Sequence, residues 1–377
     1  MARKLKSDKV LFTAMFLLVC VSVVMVYSAS AVVLARNGQS PYLYLAKQGT
    51  FALLGLFLMQ VVMRIDYRNY RQPVVIWTGL VVVGLALIAV LFGRPVNGAT
   101  RWLNIGPLGV QPSELAKIVV IFFVAAVLER RMERIDEPAH ALLPIGAVLG
   151  AIILLVLIEP DLGTAVSIAV IAGVMVFAGG ISYRYVGALA VMAIVGLYVL
   201  LQVQEYRWRR IEAFLDPWAD PLGDSFQMIQ SMIAVGVGGL FGRGLMDGVQ
   251  KLFYLPEPHN DFIYAVLSEE TGLIGATVVL GCFCVITWRG LRTAMRAPDR
   301  FGAFLALGLT TMVAFQAFFN ISVTLGLLPT KGIPLPLVSY GGSSLLINLI
   351  GMGILLNVSQ HASASHVVTT TLPAADA

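Results

Sequence analysis

The segment HNDFIYAVLSEETGLIG, residues 259–275, sets three carboxylates against an oily run. Asp261 stands at its lip, behind His259 and Asn260, and Glu269 and Glu270 follow inside it. Ionisable groups at such depth are costly and are candidates for function. By themselves they leave ion pump, transporter and enzyme open. The plainer readings are a helix cap for Asp261 and an internal hydrogen-bond network for the two glutamates. On one continuous helix the glutamates lie roughly 12–14 Å deeper than Asp261, Glu269 near its face and Glu270 opposite. One further pairing and one further carboxylate stand out. Glu114 and Lys117 are three apart and share a helix face, where they can form an ion pair. Asp161 lies in the turn EPDLG, whose proline and glycine break a helix.

Composition fixes what must hold these groups. The 377 residues are 58% hydrophobic and 12% charged, with a mean hydropathy of +0.84. Soluble domains carry about 25% charged residues, so the chain is expected to be an all-α integral membrane protein. About ten apolar runs are long enough to span a bilayer, which takes about 20 residues each: 10–35, 45–63, 73–92, 111–128, 142–158, 162–180, 185–203, 262–288, 301–326 and 335–358. The first exceeds the apolar core of about 7–15 residues in a signal peptide and is expected to stay as a helix. The expected organisation is an N-terminus over 1–9, a ten-helix domain over 10–359 with a large loop over 204–261, and a polar tail over 360–377. The three cysteines lie in apolar runs and match neither a disulfide framework nor a zinc site.

Lysine and arginine orient the bundle. Arg3, Lys4, Lys6 and Lys9, then Arg64, Arg68 and Arg71, then Arg130, Arg131 and Arg134, then Arg184, and last Arg289, Arg292, Arg296 and Arg300 fall on one side. That side is read as cytoplasmic, and both termini with it. The opposite side keeps one basic cluster: Arg207, Arg209, Arg210, Arg243 and Lys251 in the large loop, joined by Arg101 and Lys331. A solvated loop explains this, and so does an anionic ligand held there. Within the loop, Trp208, Phe214 and Trp218 suit the headgroup level. From Asp224, a plausible N-cap, Phe226, Ile229 and Ile233 recur at helical spacing and predict an amphipathic helix in the interface. The following GVGGLFGRG lacks the ending of a phosphate loop and reads as a flexible or closely packed linker. Ser343 and Ser344 in SYGGSSLL have no His/Asp partner, and the glycines there suit close helix packing.

Five segments together carry a resemblance. NGATRWLNIGPLGVQPSELAK (97–117), EPDLGT (159–164), RRIEAFLDPWADPLGDSFQMIQS (209–231), LPEPHNDFIYAVLSEETGLIG (255–275) and LLPTKGIPLPLVSYGGSSLL (327–346) resemble the SEDS family (shape, elongation, division and sporulation), in order and over nearly the whole chain. FLDPWADP and PTKG are more similar to its division branch than to its elongation branch. The resemblance implies a peptidoglycan glycosyltransferase that polymerises lipid II at the outer face of the bacterial cytoplasmic membrane, at the division septum. It further implies a class B penicillin-binding protein as transpeptidase partner, other divisome membrane proteins around it, and no nucleic acid. The family's catalytic aspartate falls on Asp261, in a segment that usually reads His-Thr-Asp-Phe and here has Asn260 in place of threonine. Its functional lysine falls on Lys331, and Glu114 and Lys117 match positions lining its central cavity.

The chemistry fits those residues. An α-linked donor gives a β-linked product by one inverting displacement, for which a carboxylate base suffices. Asp261 is expected to be that base, and Arg101, Arg210 and Lys331 to stabilise the leaving pyrophosphate. Asp161 joins them as a substrate-binding candidate on the same side. No cofactor is required by the sequence, and Mg2+ or Mn2+ with Asp261 among its ligands is the alternative. A lipid II flippase and a scaffold that recruits the transpeptidase are the rival functions.

Overall fold

The computed structural model describes residues 7–93, 100–105, 108–134, 137, 139–202, 205–252 and 255–371. Arg3, Lys4, Lys6 and the last residues of the tail, 372–377, lie outside them. Each of the ten apolar runs forms a helix: α1 (Lys9–Arg36), α2 (Leu43–Val62), α3 (Pro73–Leu91), α4 (Pro112–Arg131), α5 (Leu142–Ile158), α6 (Leu162–Ala178), α7 (Tyr183–Gln202), α10 (Ile263–Arg296), α11 (Arg300–Thr324) and α12 (Gly342–Thr371). The large loop adds α8 (Glu205–Leu215) and α9 (Phe226–Gly238), and a short antiparallel hairpin, β1 (Leu103–Ile105) with β2 (Leu108–Val110), precedes α4. Among the described residues, seven helices are long and apolar enough to cross a membrane. Of the rest, α5 and α6 are 17 residues each, and α4 carries Glu114, Lys117 and a charged last turn.

Local signals account for the helix starts. Proline opens α3 and α4, where its missing N–H costs nothing. Asp8, Asp161 and Asp299 cap α1, α6 and α11 through their side chains. In the interior, α4 packs on α3, α6 and α11, α12 on α2, and α10 on α1 and α11. Of these, α4, α11 and α12 are the most buried, whereas α7 buries none of its residues. Many polar groups in the core find partners within it, as a lipid surround favours. Asn357 receives the N–H of Tyr67 and donates to the carbonyl of Met63, and Tyr67 donates to Asp299 at 2.5 Å.

The structure departs from the sequence reading in three places and, at the glycine-rich segment, decides between its two alternatives for the closely packed one. First, α10 is not one continuous rod. Gly272 has φ 68° and ψ −167°, and Tyr264 Oη donates to the carbonyl of Ala276 at 3.1 Å. Those residues are 12 apart, about 18 Å along a straight helix, so the two halves fold against each other just beyond Glu269 and Glu270, which stay on the first half. The glycine-rich segment fills that break. Leu273 and Ile274 donate to the carbonyls of Gly239 and Leu240, and Arg243 and Gly244 donate to those of Glu269 and Glu270. A Cβ on Gly242 would stand 2.1 Å from the Glu270 carbonyl oxygen, so the segment is a close-packed patch. Second, α9 starts at Phe226 behind Ser225, and Asp224 pairs with Arg209 instead of capping it. Its Ser231 is buried and donates to the carbonyl of Thr324, so α9 packs on the bundle. Third, residues 335–341 form a turn, and α12 runs from Gly342 through the expected tail to Thr371.

Candidate functional site

The segment from 257 to 262 is held by its main chain. Tyr340 N–H donates to the His259 carbonyl at 2.9 Å, Ser339 Oγ to that of Asn260 at 2.7 Å, and Asn320 Nδ2 to that of Asp261 at 2.8 Å. Three consecutive carbonyls are thereby fixed to α11 and the 335–341 turn. The Asp261 side chain does not cap α10, whose N-cap is Phe262. It points instead into a cavity of about 470 Å³. Gly332 lies so near that a Cβ there would stand 3.1 Å from Asp261 Oδ2. Gly163 allows the next contact, since its Cβ would meet Ile333 at 2.9 Å. Two glycines thus let the EPDLG turn, the PTKG loop and Asp261 converge.

Arg101, Glu114 and Asp161 line the same cavity as Asp261. Arg101 is aimed by the α5–α6 turn, donating to the carbonyls of Glu159 and Pro160 at 3.3 and 2.5 Å. Asp161 caps α6 through Thr164 and also accepts from Gln111. Glu114 pairs with Lys117 at 2.8 Å, both buried, and its second oxygen has no partner among the described residues. Lys117 lies behind the wall. Arg210 and Lys331 do not line the cavity either, but their charges are close to it. Arg210 donates to the carbonyl of Thr330 at 3.2 Å and acts on both Asp261 and Lys331.

Burial and then Glu257 push the Asp261 carboxyl up to about 6, against the pull of Arg210 and Arg101. Burial, followed by Arg207 and Arg210, brings the Lys331 ammonium down to about 7, while Asp161 counters. Next to the cavity, burial and Asp161 push Glu159 up to about 8, and neither of its oxygens has a partner among the described residues. Such a carboxyl is neutral at pH 7.

Several cavity residues were not singled out from sequence. Among them, Lys47 and Phe51 come from α2, Glu257 from the loop before Asp261, and Tyr340 from the turn before α12. A lone lysine in an apolar run was the available signal for Lys47. Glu257, with φ +51°, accepts from Asn260 Nδ2 at 2.9 Å and faces His259 Nε2 at 3.4 Å. The His259 ring sits beside the stacked rings of Tyr44 and Tyr340, 5.0 and 5.5 Å from them. Glu269 and Glu270 are structural. Glu269 accepts from Val249 and Gln250 N–H, and Glu270 binds Lys251 at 2.6 Å, Ser28 and Met246 N–H.

Fold and cavity define a class: a multi-pass helical membrane protein with a polar pocket at one end, walled by carboxylates and cations. The comparisons give the family. The chain belongs to the cell cycle protein family of FtsW, RodA and SpoVE, which it matches over residues 8–364. It is 43% identical, over 93% of its length and 95% of the relative's, to a Geobacter sulfurreducens protein named "Probable peptidoglycan glycosyltransferase FtsW". To stage V sporulation protein E of Bacillus subtilis it is 40% identical, over 96% and 99%. Among solved structures it is similar to a chain of a peptidoglycan synthase complex described as coordinating polymerization and crosslinking, with TM-score 0.78 and 29% identity over 95% and 99%. Thermus thermophilus RodA follows with TM-score 0.69 and 28% identity over 94% and 97%.

Proposed function

We propose that the cavity is where lipid II is joined to a growing glycan, with Asp261 as general base. The chain is a peptidoglycan glycosyltransferase, the activity named for a relative that matches 93% of it. One observation carries the assignment of the base. Asp261 presents a carboxyl with no hydrogen-bond partner among the described residues to a cavity that Arg101 also lines. In the reaction the acceptor's 4-hydroxyl loses its proton to Asp261 as its oxygen bonds to the donor's anomeric carbon. The bond from that carbon to the pyrophosphate breaks, and the leaving group takes the electron pair. A raised carboxyl is a stronger base and is still ionised at neutral pH. The negative charge also favours an oxocarbenium-like transition state. Arg101, with Arg210 and Lys331 behind it, supplies the positive field for the departing pyrophosphate. The unpartnered Glu114 oxygen and Asp161 offer acceptors to sugar hydroxyls.

In this reading the cavity faces the outside of the cytoplasmic membrane, both termini are cytoplasmic, and the protein works at the septum. Its partners are a class B penicillin-binding protein and other divisome membrane proteins. The field of cations makes a metal unnecessary in the scheme. Among the described residues no three His, Cys, Asp or Glu side chains cluster as ligands. An Mg2+ or Mn2+ ion would therefore take most of its oxygens from pyrophosphate and water, with Asp261 among its ligands.

Reconstitution with labelled lipid II, with and without the transpeptidase, tests the assignment. Wild-type protein yields glycan strands, and Asp261→Ala and Asp261→Asn yield none while unfolding at the wild-type temperature. Strands of normal length from either variant discard the base. Movement of lipid II across the bilayer without polymer would make the protein a flippase.

A further inference from the structure

The last turns of α10 carry Arg289, Arg292 and Arg296, spaced by three and four, so the guanidiniums share one helix face. With Asp8, Thr293 and Ser359 they line a second concavity of about 230 Å³. Ser359 lies seventeen residues beyond Gly342, which lines the catalytic cavity, and that is about 25 Å along α12. The two concavities therefore sit at opposite ends of the bundle.

The charge in this pocket does not balance. Its carboxylate, Asp8, is fully engaged. Oδ1 accepts from Val10 and Leu11 N–H at 3.1 and 3.2 Å, and Oδ2 takes Arg289 Nε and Nη2 at 2.6 and 2.5 Å. No carboxylate stands within 4.0 Å of Arg292 or Arg296 among the described residues. Arg289 and Arg292 both lie over the Trp288 ring, at 5.7 and 5.9 Å from its centroid, which limits their freedom to swing into water. On the adjoining face of α10, by helical spacing, Trp288, Leu291 and Met295 are apolar and exposed. Tryptophan beside arginine at a helix end marks the headgroup level of a bilayer.

We propose that this pocket binds the phosphate of an anionic phospholipid headgroup in the leaflet opposite the catalytic cavity. Guanidinium forks match phosphate oxygens in pairs, and basic pockets between helices on the cytoplasmic side take such headgroups. The volume is below the roughly 300 Å³ at which pockets for drug-sized ligands begin. A headgroup fits, with its acyl chains outside along Leu291 and Met295. A free phosphate ion has the same polar chemistry, and the adjoining apolar face favours the lipid.

The test uses the full chain in nanodiscs of phosphatidylcholine, with or without a minor share of phosphatidylglycerol. Lipid retention is read by native mass spectrometry and stability by thermal unfolding. The wild type retains phosphatidylglycerol in preference and unfolds at a higher temperature with it. Arg292→Gln/Arg296→Gln weakens retention about 30-fold and unfolds as the wild type does in phosphatidylcholine alone. Should the double variant not fold, Arg296→Gln by itself gives about a fivefold loss. Arg300→Gln, at the same end but outside the pocket, keeps the wild-type preference. Absence of preference in the wild type overturns the site, and an equal loss in Arg300→Gln reduces it to general surface charge. A thermal shift reproduced by inorganic phosphate in phosphatidylcholine discs overturns the lipid assignment in favour of a soluble anion.

Discussion

At the scale of residues, the proposed mechanism makes Asp261 and Lys331 set opposite limbs of one pH profile. Asp261 acts as a base only when ionised, so the rate rises with pH through about 6. Lys331 helps the leaving group only when protonated, so the rate falls as pH rises through about 7. Polymerisation, followed as kcat/KM against pH, is expected to give a narrow bell with these limbs. Asp261→Asn removes the base and costs about 10²–10⁴-fold in rate. Glu257→Gln removes a negative neighbour that raises Asp261, so the acid limb moves to lower pH while the Lys331 limb stays. A shift to higher pH would contradict the arrangement. Asn260→Thr takes away the amide that holds Glu257 and is expected to move the limb the same way by less.

The element that matters most is α10, and its break is where sequence reading was weakest. Gly272 in EETGLIG looks like any tolerated glycine in a helical pattern. A side chain is excluded there because Gly242 N and the Leu240 carbonyl pack against it, contacts invisible in a local window. Runs such as 10–35 and 301–326 were legible because ~20 apolar residues have one stable form in lipid. The cavity was legible in part. Asp261, Arg101, Glu114 and Asp161 were placed in it, whereas Lys117, Arg210 and Lys331 act from behind its wall. Lys47 and Tyr340 were missed because only tertiary packing brings α2 and the 335–341 turn to the site. Two stability predictions belong here. Glu270→Gln leaves the buried Lys251 ammonium without its carboxylate, and thermal unfolding should show a loss of about 3–5 kcal/mol, largely recovered by Glu270→Gln/Lys251→Met. Gly272→Ala sets a Cβ 2.3 Å from Gly242 N in a left-handed conformation and should lower the unfolding temperature further than Gly281→Ala, where the added Cβ meets nothing within 4 Å.

For the whole molecule, orientation is the claim that decides function, because a glycan built on the wrong side of the membrane is useless. In a background with Cys20, Cys282 and Cys284 replaced, Leu222→Cys and Met295→Cys test it. Both positions are exposed, at 87% and 79%, and they belong to opposite ends of the bundle. A thiol reagent that cannot cross membranes should label Leu222→Cys in intact cells and Met295→Cys only after permeabilisation. The reverse pattern would turn the catalytic cavity to the cytosol and end the proposal.

The anchoring of His259, Asn260 and Asp261 through their carbonyl oxygens has one more outcome. Peptide carbonyls are the same whatever side chain they carry, so substitution at 259 or 260 leaves the accepting atoms of the address in place. The amide at 260, where the resemblance leads one to expect a threonine, is a change of lettering at an unchanged address. Such a turn can drift in spelling and still deliver its aspartate to the same spot.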